Sequence, residues 1–356
     1  MPSHWLHRPT LLVLTILGGG LGSAVTAGED SLPPKTLAAL KAATVFLKVE
    51  DGRDSGSGTG FLIKTEGQTA YLVTNNHVID LSEGQPRRAA AATTVTAVFG
   101  SGTKNERSAR AEVVAADMRR DLAVLRVQGV RDLPAPIDHD HEPELIETMS
   151  VFVLGFPLGE LLAIGKGNPA ITVGKASVSS IRLNDRGDVA TVQIAGDITP
   201  GNSGGPVVDA QGRLVGIAVA TIRGRNIGFA IPATALTRLL NGRLLDYRLT
   251  TRPAGAGQLN VQVELSLFDP FGRIKGVTFY YLDRDSAGAK KLAGLDGVRK
   301  ADLRRGPRQI TGTFPLAGGG GAETPLAFQV VYVNGAGKTI LSNPRVSRFR
   351  IDGGAK

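Results

Sequence analysis

Residues 198–208 read ITPGNSGGPVV: one serine, Ser203, with glycine and proline on both sides and an apolar run directly behind it. A serine hydroxyl is a poor nucleophile until a base takes its proton. Glycine lets the main chain come close to a substrate and adopt φ values that other residues avoid. The stretch is therefore either a tight turn that happens to hold a serine or a turn that sets N–H donors beside a nucleophile. The second reading needs a histidine elsewhere in the chain.

Five histidines occur, at positions 4, 7, 77, 139 and 141. His4 and His7 lie in MPSHWLHRPTLLVLTILGGGLGSAVTA, where a basic start at Arg8, an apolar core from Leu11 to Leu17 and small residues up to Ala27 predict a secretory signal, residues 1–27, cut after Ala27. His139 and His141 sit in the polar run PIDHDHEPE, residues 136–144. His77 alone follows a strand pattern directly, in YLVTNNHVI, residues 71–79, where a rigid element can aim it.

The surrounding chain is a succession of short strand patterns. TVFLKV, GTGFLIKT, TAYLVTNN, TTVTAVF, AEVVAAD and DLAVLRV occupy residues 44–127, and SVFVLGFP, AITVGKASVSSI, VATVQIAG, GPVVDAQGRLVGIAVA and NIGFAIP occupy 150–232. Each is rich in β-branched, Leu or aromatic residues and bounded by Gly, Asp or Asn. No helix-length segment separates them, which favours barrels or a sandwich over a parallel α/β sheet. Helical spacing is confined to a lead over Pro34–Ala43 and to the segment Ala233–Leu245. TTRPAGAGQ, residues 250–258, breaks the pattern and predicts a linker. Beyond it LNVQVELSLFD and LAFQVVYVNG alternate at period 2, VTFYYLD suggests a further strand between them, and together they predict a small β-sandwich over 259–356. No internal sequence repeat is evident.

The order of the chemical groups narrows the fold. GNSGG fits the G-x-S-x-G elbow of α/β-hydrolases, but that arrangement needs a histidine after the serine and none follows residue 141. The order Asp, His, Ser is available through Asp51 or Asp54 but belongs to a fold with helices that this stretch lacks. His, Asp, Ser remains, the order found on double β-barrels. Asp121, at the head of DLAVLRV, is the preferred partner for His77, because a buried strand begins directly after it; Asp117 is the close competitor. The turn Gly201–Asn202–Ser203 would supply the backbone donors of an oxyanion hole, with the N–H groups of Gly201 and Ser203 as the expected pair.

TNNHV, DLAVLRV and GNSGGPVV in this order resemble the trypsin-like fold, and within it the HtrA/Deg branch of exported serine proteases. GSGTGFLI, VLGFPLG, ITVGKASVSSI and GFAIP are similar to that branch as well, so the resemblance covers about residues 36–243. It implies two six-stranded antiparallel β-barrels over 28–249 with the triad in the cleft between them, and hydrolysis of peptide bonds through an acyl-enzyme. The expected architecture is thus all-β, with a C-terminal sandwich of immunoglobulin or fibronectin type III kind. Asn202 stands where regulated digestive enzymes carry an aspartate, so activation through a new N-terminus is not expected. No PDZ pattern is recognisable after residue 250, and the N-terminal aromatic contacts of the branch's trimer are not recognisable either. Oligomeric state is left open.

Asp197 lies six residues before Ser203, the offset at which a basic-specific pocket would hold its carboxylate; the resemblance otherwise implies a preference for small aliphatic residues. DHDHE, residues 138–142, offers several donors, but neighbouring side chains in an extended loop point apart, so neither a metal nor any other cofactor is expected. The formal charge of +9 falls to +8 without Arg8, and the last 99 residues hold 15 Lys or Arg against 8 Asp or Glu. Arg299, Lys300, Arg304, Arg305 and Arg308 lack interleaved aromatics, which argues against specific nucleic-acid binding and leaves contact with a polyanion as the expectation. Cysteine is absent, so an exported chain must rely on packing alone. With the leader removed, no transmembrane anchor is expected; the predicted location is periplasmic or secreted, and the predicted partners are protein or peptide substrates.

Overall fold

The computed structural model describes residues 31–52, 54–80, 93–164, 167–196, 198–221, 227–255, 258–285, 289–306, 309–317 and 323–350. The expected signal segment, Asp197 and Arg308 lie outside the described residues. Helix α1, Pro34–Ala43, has the predicted bounds. Proline suits its first turn, where the missing N–H costs nothing. Thr44 Oγ1 closes its end by donating to the Leu40 carbonyl at 2.8 Å, and the β-branched run that follows continues as a strand.

Six strands form the first barrel: β1 Thr44–Asp51, β2 Asp54–Glu66, β3 Thr69–Thr74, β4 Thr94–Phe99, β5 Arg107–Asp117 and β6 Leu122–Val127. Their order is β1-β2-β3-β6-β5-β4, closed by β4 on β1. The second barrel holds β7 Ser150–Gly155, β8 Thr172–Leu183, β9 Val189–Ala195, β10 Pro206–Val208, β11 Leu214–Thr221 and β12 Ile227–Pro232, closed by β7 on β10. All pairings are antiparallel, and the two barrels share one order: first, second, third, sixth, fifth, fourth. The repeat is one of topology without visible sequence identity. A barrel interior asks only that inward positions be apolar and fit in volume, so Phe61, Leu72 and Leu125 line one core while Val153, Val192 and Val215 line the other.

Helix α2, Asn76–Ile79, is a single turn after β3, and α3, Ala233–Leu240, follows β12. The structure corrects the helix expected to reach Leu245. Gly242, at φ +88°, caps α3 in the left-handed region by donating to the Leu239 carbonyl at 2.9 Å, and a strand starts at Arg243. Leu244 and Leu245 fit the helical spacing by chance: in the strand they face different cores.

The C-terminal region is two packed sheets. One has the order β13 Arg243–Gly255, β14 Gln258–Phe268, β18 Gln309–Ala317, β17 Asp302–Arg305; the other has β16 Arg299–Lys300, β15 Lys275–Leu282, β19 Glu323–Val333, β20 Thr339–Leu341, with β21 Arg345–Arg350 also on β19. Val261, Val263 and Phe314 of the first meet Phe279, Phe328 and Val330 of the second. The rings of Phe279 and Phe328 stack at 5.3 Å. Residues 250–255 and 258, expected as linker, belong to the β13–β14 hairpin. Among the described residues β13 pairs on one side only, and it is exposed along its outer half, so it needs no apolar run and tolerates Pro253.

The sandwich is anchored on the barrels. Phe268 is fully buried within the barrel core, and Phe271 meets Tyr71 edge-on at 5.2 Å beneath the ammonium of Lys64. The Gly335 N–H donates to the Asn241 carbonyl at 2.6 Å, and Arg243 pairs with the buried Asp117 at 3.4 Å.

Candidate active site

His77 is carried by α2, at the point where β3 leaves the first barrel. Both oxygens of Asp121 engage it: Oδ1 accepts the His77 backbone N–H at 2.9 Å and Oδ2 meets Nδ1 at 2.7 Å. A carboxylate accepting from Nδ1–H leaves Nε2 as the basic nitrogen and fixes the plane of the ring. The backbone that carries this carboxylate is itself held, because Asn75 Nδ2 donates to the Asp121 main-chain carbonyl at 2.9 Å. Asp121 has φ +53°, a left-handed conformation that aspartate tolerates better than most residues. Asp117 turns away from His77: its carboxylate accepts the N–H groups of Arg119 and Arg120 and pairs with the guanidinium groups of Arg120 and Arg243.

Ser203 lies in a turn between the barrels. Gly201 at φ +102° and Gly204 at φ +86° give the turn its shape. It is pinned from the first barrel by Thr59, whose N–H donates to the Ser203 carbonyl at 3.0 Å and whose Oγ1 donates to the Gly201 carbonyl at 2.6 Å. The same hydroxyl accepts the Phe156 N–H at 3.1 Å, and the Thr59 carbonyl accepts Thr74 Oγ1 at 2.7 Å. A Cβ built on Gly204 would lie 3.1 Å from the Asn75 nitrogen, so the serine turn abuts the segment that carries His77.

The donors of the turn differ from one another. Leu158 N–H donates to the Pro200 carbonyl at 2.7 Å, and because a trans peptide sets C=O and N–H on opposite sides, the Gly201 N–H points away from that anchor. Among the described residues neither the Gly201 nor the Ser203 N–H donates to a backbone carbonyl. Asn202, expected as a further donor, is corrected: its N–H is spent on the Thr199 carbonyl at 3.0 Å, which closes the turn. Ser203 Oγ donates to the Val219 carbonyl at 2.7 Å.

Residues 58–217 match the trypsin-like peptidase domain family. The matched stretch carries His77, Asp121 and Ser203 and is similar to trypsin-like peptidase domains. Among curated relatives, the serine protease PepD of Mycobacterium tuberculosis is 31% identical over 254 residues, which cover 65% of this chain and 50% of that protein. The serine protease Do-like HtrA of Bacillus subtilis is 30% identical over 59% of this chain and 44% of its own length. A "probable periplasmic serine endoprotease DegP-like" of Bartonella henselae is 32% identical over 58% of this chain and 36% of its own length. The chain thus spans half or less of the length of these relatives. The crystal structure of Deg5 superposes with a TM-score of 0.45 at 24% identity, over 57% of this chain and 90% of that one.

Ile198 is buried, and its side chain presses against Gly228 of β12, where a Cβ would come within 2.7 Å of Ile198 Cγ1. The 138–142 loop is engaged internally: His141 Nδ1 meets Asp138 Oδ2 at 2.7 Å, and the His139 carbonyl accepts Thr237 Oγ1 at 2.8 Å. Among the described residues no group of three or more His, Cys, Asp or Glu is arranged to hold a metal ion. The basic run is divided between the two C-terminal sheets, with Arg299 on Asp283 and Arg305 on Asp269. The roles of Thr59, Leu158 and Asn75 depend on segments distant in sequence, Gly201, Pro200 and Asp121. A Thr between two glycines in GSGTGFLI is the only local sign of the first.

Proposed function

We propose that the chain is a serine endopeptidase, with Ser203 as nucleophile, His77 as base and then acid, and Asp121 as the group that orients the imidazole. The observation that carries the reading is the double engagement of His77 by Asp121 next to the glycine turn of Ser203. When a substrate carbonyl enters, the Ser203 hydroxyl turns from Val219 to Nε2 of His77 and attacks. The proton passes to the imidazole, Asp121 stabilises the cation, and the Gly201 and Ser203 N–H groups receive the oxyanion. Each such donor contributes roughly 3–4 kcal/mol to lowering the barrier. Protonated His77 then hands its proton to the leaving amine, and water repeats the sequence on the acyl-enzyme. Relatives named as a serine protease and as a periplasmic serine endoprotease support protein substrates and a periplasmic location, and a role in envelope protein quality control is part of the same proposal.

The rival reading, a trypsin-fold binding or chaperone-like protein without catalysis, draws on the hydrogen bond that holds the Ser203 hydroxyl to Val219. A fluorophosphonate probe separates the two. Labelling of the wild-type chain that is lost in Ser203→Ala and in His77→Ala is the expected result. A wild-type chain that stays unlabelled while folded overturns the peptidase reading.

A further inference from the structure

We propose that the groove between the peptidase domain and the sandwich is a binding site for acidic polypeptide segments that also carry apolar side chains. The inference rests on the endopeptidase reading and names the part of the substrate held away from the cut. The groove has a volume of about 960 Å³ and reaches Asp121 and Val219, the two residues that engage His77 and the Ser203 hydroxyl. Its far wall belongs to the sandwich, through Tyr332, Lys338 and Ile340.

Charge selects the occupant. Six cations line the groove, Arg119, Arg120, Arg182, Arg238, Arg243 and Lys338, against the carboxylates of Asp121 and Asp188. Four are committed: Arg120 and Arg243 to Asp117, Arg238 to Asp188 at 2.9 Å, and Arg182 to Gln193 Oε1 at 2.5 Å. Arg119 and Lys338 are exposed and, among the described residues, have no carboxylate partner. One comes from the turn before β6 and the other from the sandwich, so both domains contribute an uncommitted positive charge. Such a concavity attracts anions from solution.

Shape and polarity decide which anion. Between the cations lie the partly exposed side chains of Phe229, Ile231 and Ile340. A sulfated or phosphorylated polymer would satisfy the charges and leave these side chains wet. A peptide that alternates carboxylates with leucine or phenylalanine satisfies both, the apolar contacts adding affinity that salt does not screen. The sandwich thereby acts as one side of the substrate path.

The test uses the full chain carrying Ser203→Ala, so that bound peptide is not cut, and fluorescence anisotropy of three labelled peptides: Glu/Leu, Lys/Leu and Glu/Ser. Glu/Leu is expected to bind at least about tenfold more tightly than either of the others. Adding Arg119→Glu and Lys338→Glu should cost at least about tenfold in Glu/Leu affinity and flatten its salt dependence, with the melting temperature unchanged. The same two reversals in the chain with Ser203 present should leave hydrolysis of a short uncharged peptide unchanged. Equal affinity for Lys/Leu, or no loss on charge reversal, overturns the proposal. So does a heparin fragment that binds as tightly as Glu/Leu and displaces it, which would assign the groove to polyanions. Binding is measured without catalysis, so a chain that fails the fluorophosphonate test can still pass this one.

Discussion

Thr59 donates its hydroxyl hydrogen to the Gly201 carbonyl at 2.6 Å across 142 positions of sequence, joining a strand of the first barrel to the turn of the second that carries Ser203. The same oxygen accepts the Phe156 N–H, so removing it leaves two backbone groups unpaired in a buried place. Thr59→Val keeps the shape and deletes the hydroxyl. We expect a loss of about 1–3 kcal/mol in stability, read by denaturant unfolding. Fluorophosphonate labelling should slow by about tenfold or more, as one oxyanion donor drifts. Thr59→Ser should restore both.

Asp121 and Asp117 are four residues apart and should respond differently. Asp121→Asn is expected to lower kcat by about 10⁴-fold, the loss typical when an orienting carboxylate becomes an amide, with the melting temperature nearly unchanged. Asp117→Asn interrupts the contacts to Arg120 and Arg243 and should cost about 1–3 kcal/mol in unfolding, while the folded protein keeps activity near wild type. Similar activity losses for the two variants would contradict this division of roles.

Gly204 has φ +86°, and a side chain there would strike the Thr59 carbonyl and the Thr74 hydroxyl. Gly204→Ala meets both a left-handed penalty of about 1–2 kcal/mol and an overpacking cost of about 1–3 kcal/mol. We expect a soluble but clearly destabilised chain that is inactive towards peptide substrates, measured by thermal unfolding and hydrolysis together.

Glu142 is half-buried beside Thr237, and burial raises its pKa above the usual glutamate value, with the Thr237 hydroxyl opposing the shift. The folded state therefore holds this proton more tightly than the unfolded state. Stability on this account is greatest in acid, and it declines as pH rises from the ordinary glutamate range through the raised value. Glu142→Gln removes that slope: melting temperatures should match wild type in acid and exceed it at neutral pH. A variant less stable at neutral pH than in acid, by as much as wild type is, would falsify the assignment.

Phe268 tests how far the sandwich is fastened to the barrels. It leaves β14 yet is buried in the barrel core, so Phe268→Ala should cost about 3–5 kcal/mol. Loss of a single cooperative transition in calorimetry, with the peptidase domain melting apart from the sandwich, is the expected signature.

Sequence alone determined what local chemistry can encode. Strand periodicity, the one histidine behind a strand, the order His77, Asp121, Ser203 and the proline-started helix α1 all follow from side-chain type and spacing. Features that depend on an edge or a neighbour are not legible locally: 250–258 reads as a linker because an exposed edge strand needs no apolar run, and α3 reads as longer because Leu244 and Leu245 keep its spacing. Tertiary structure alone decided that Asn202 spends its N–H on Thr199, that Thr59 holds the serine turn, and that Arg119 and Lys338 line one groove. The physical reason is that periodicity specifies which way a side chain faces, whereas hydrogen bonds and charge clusters depend on which distant segments barrel closure and sheet packing bring together.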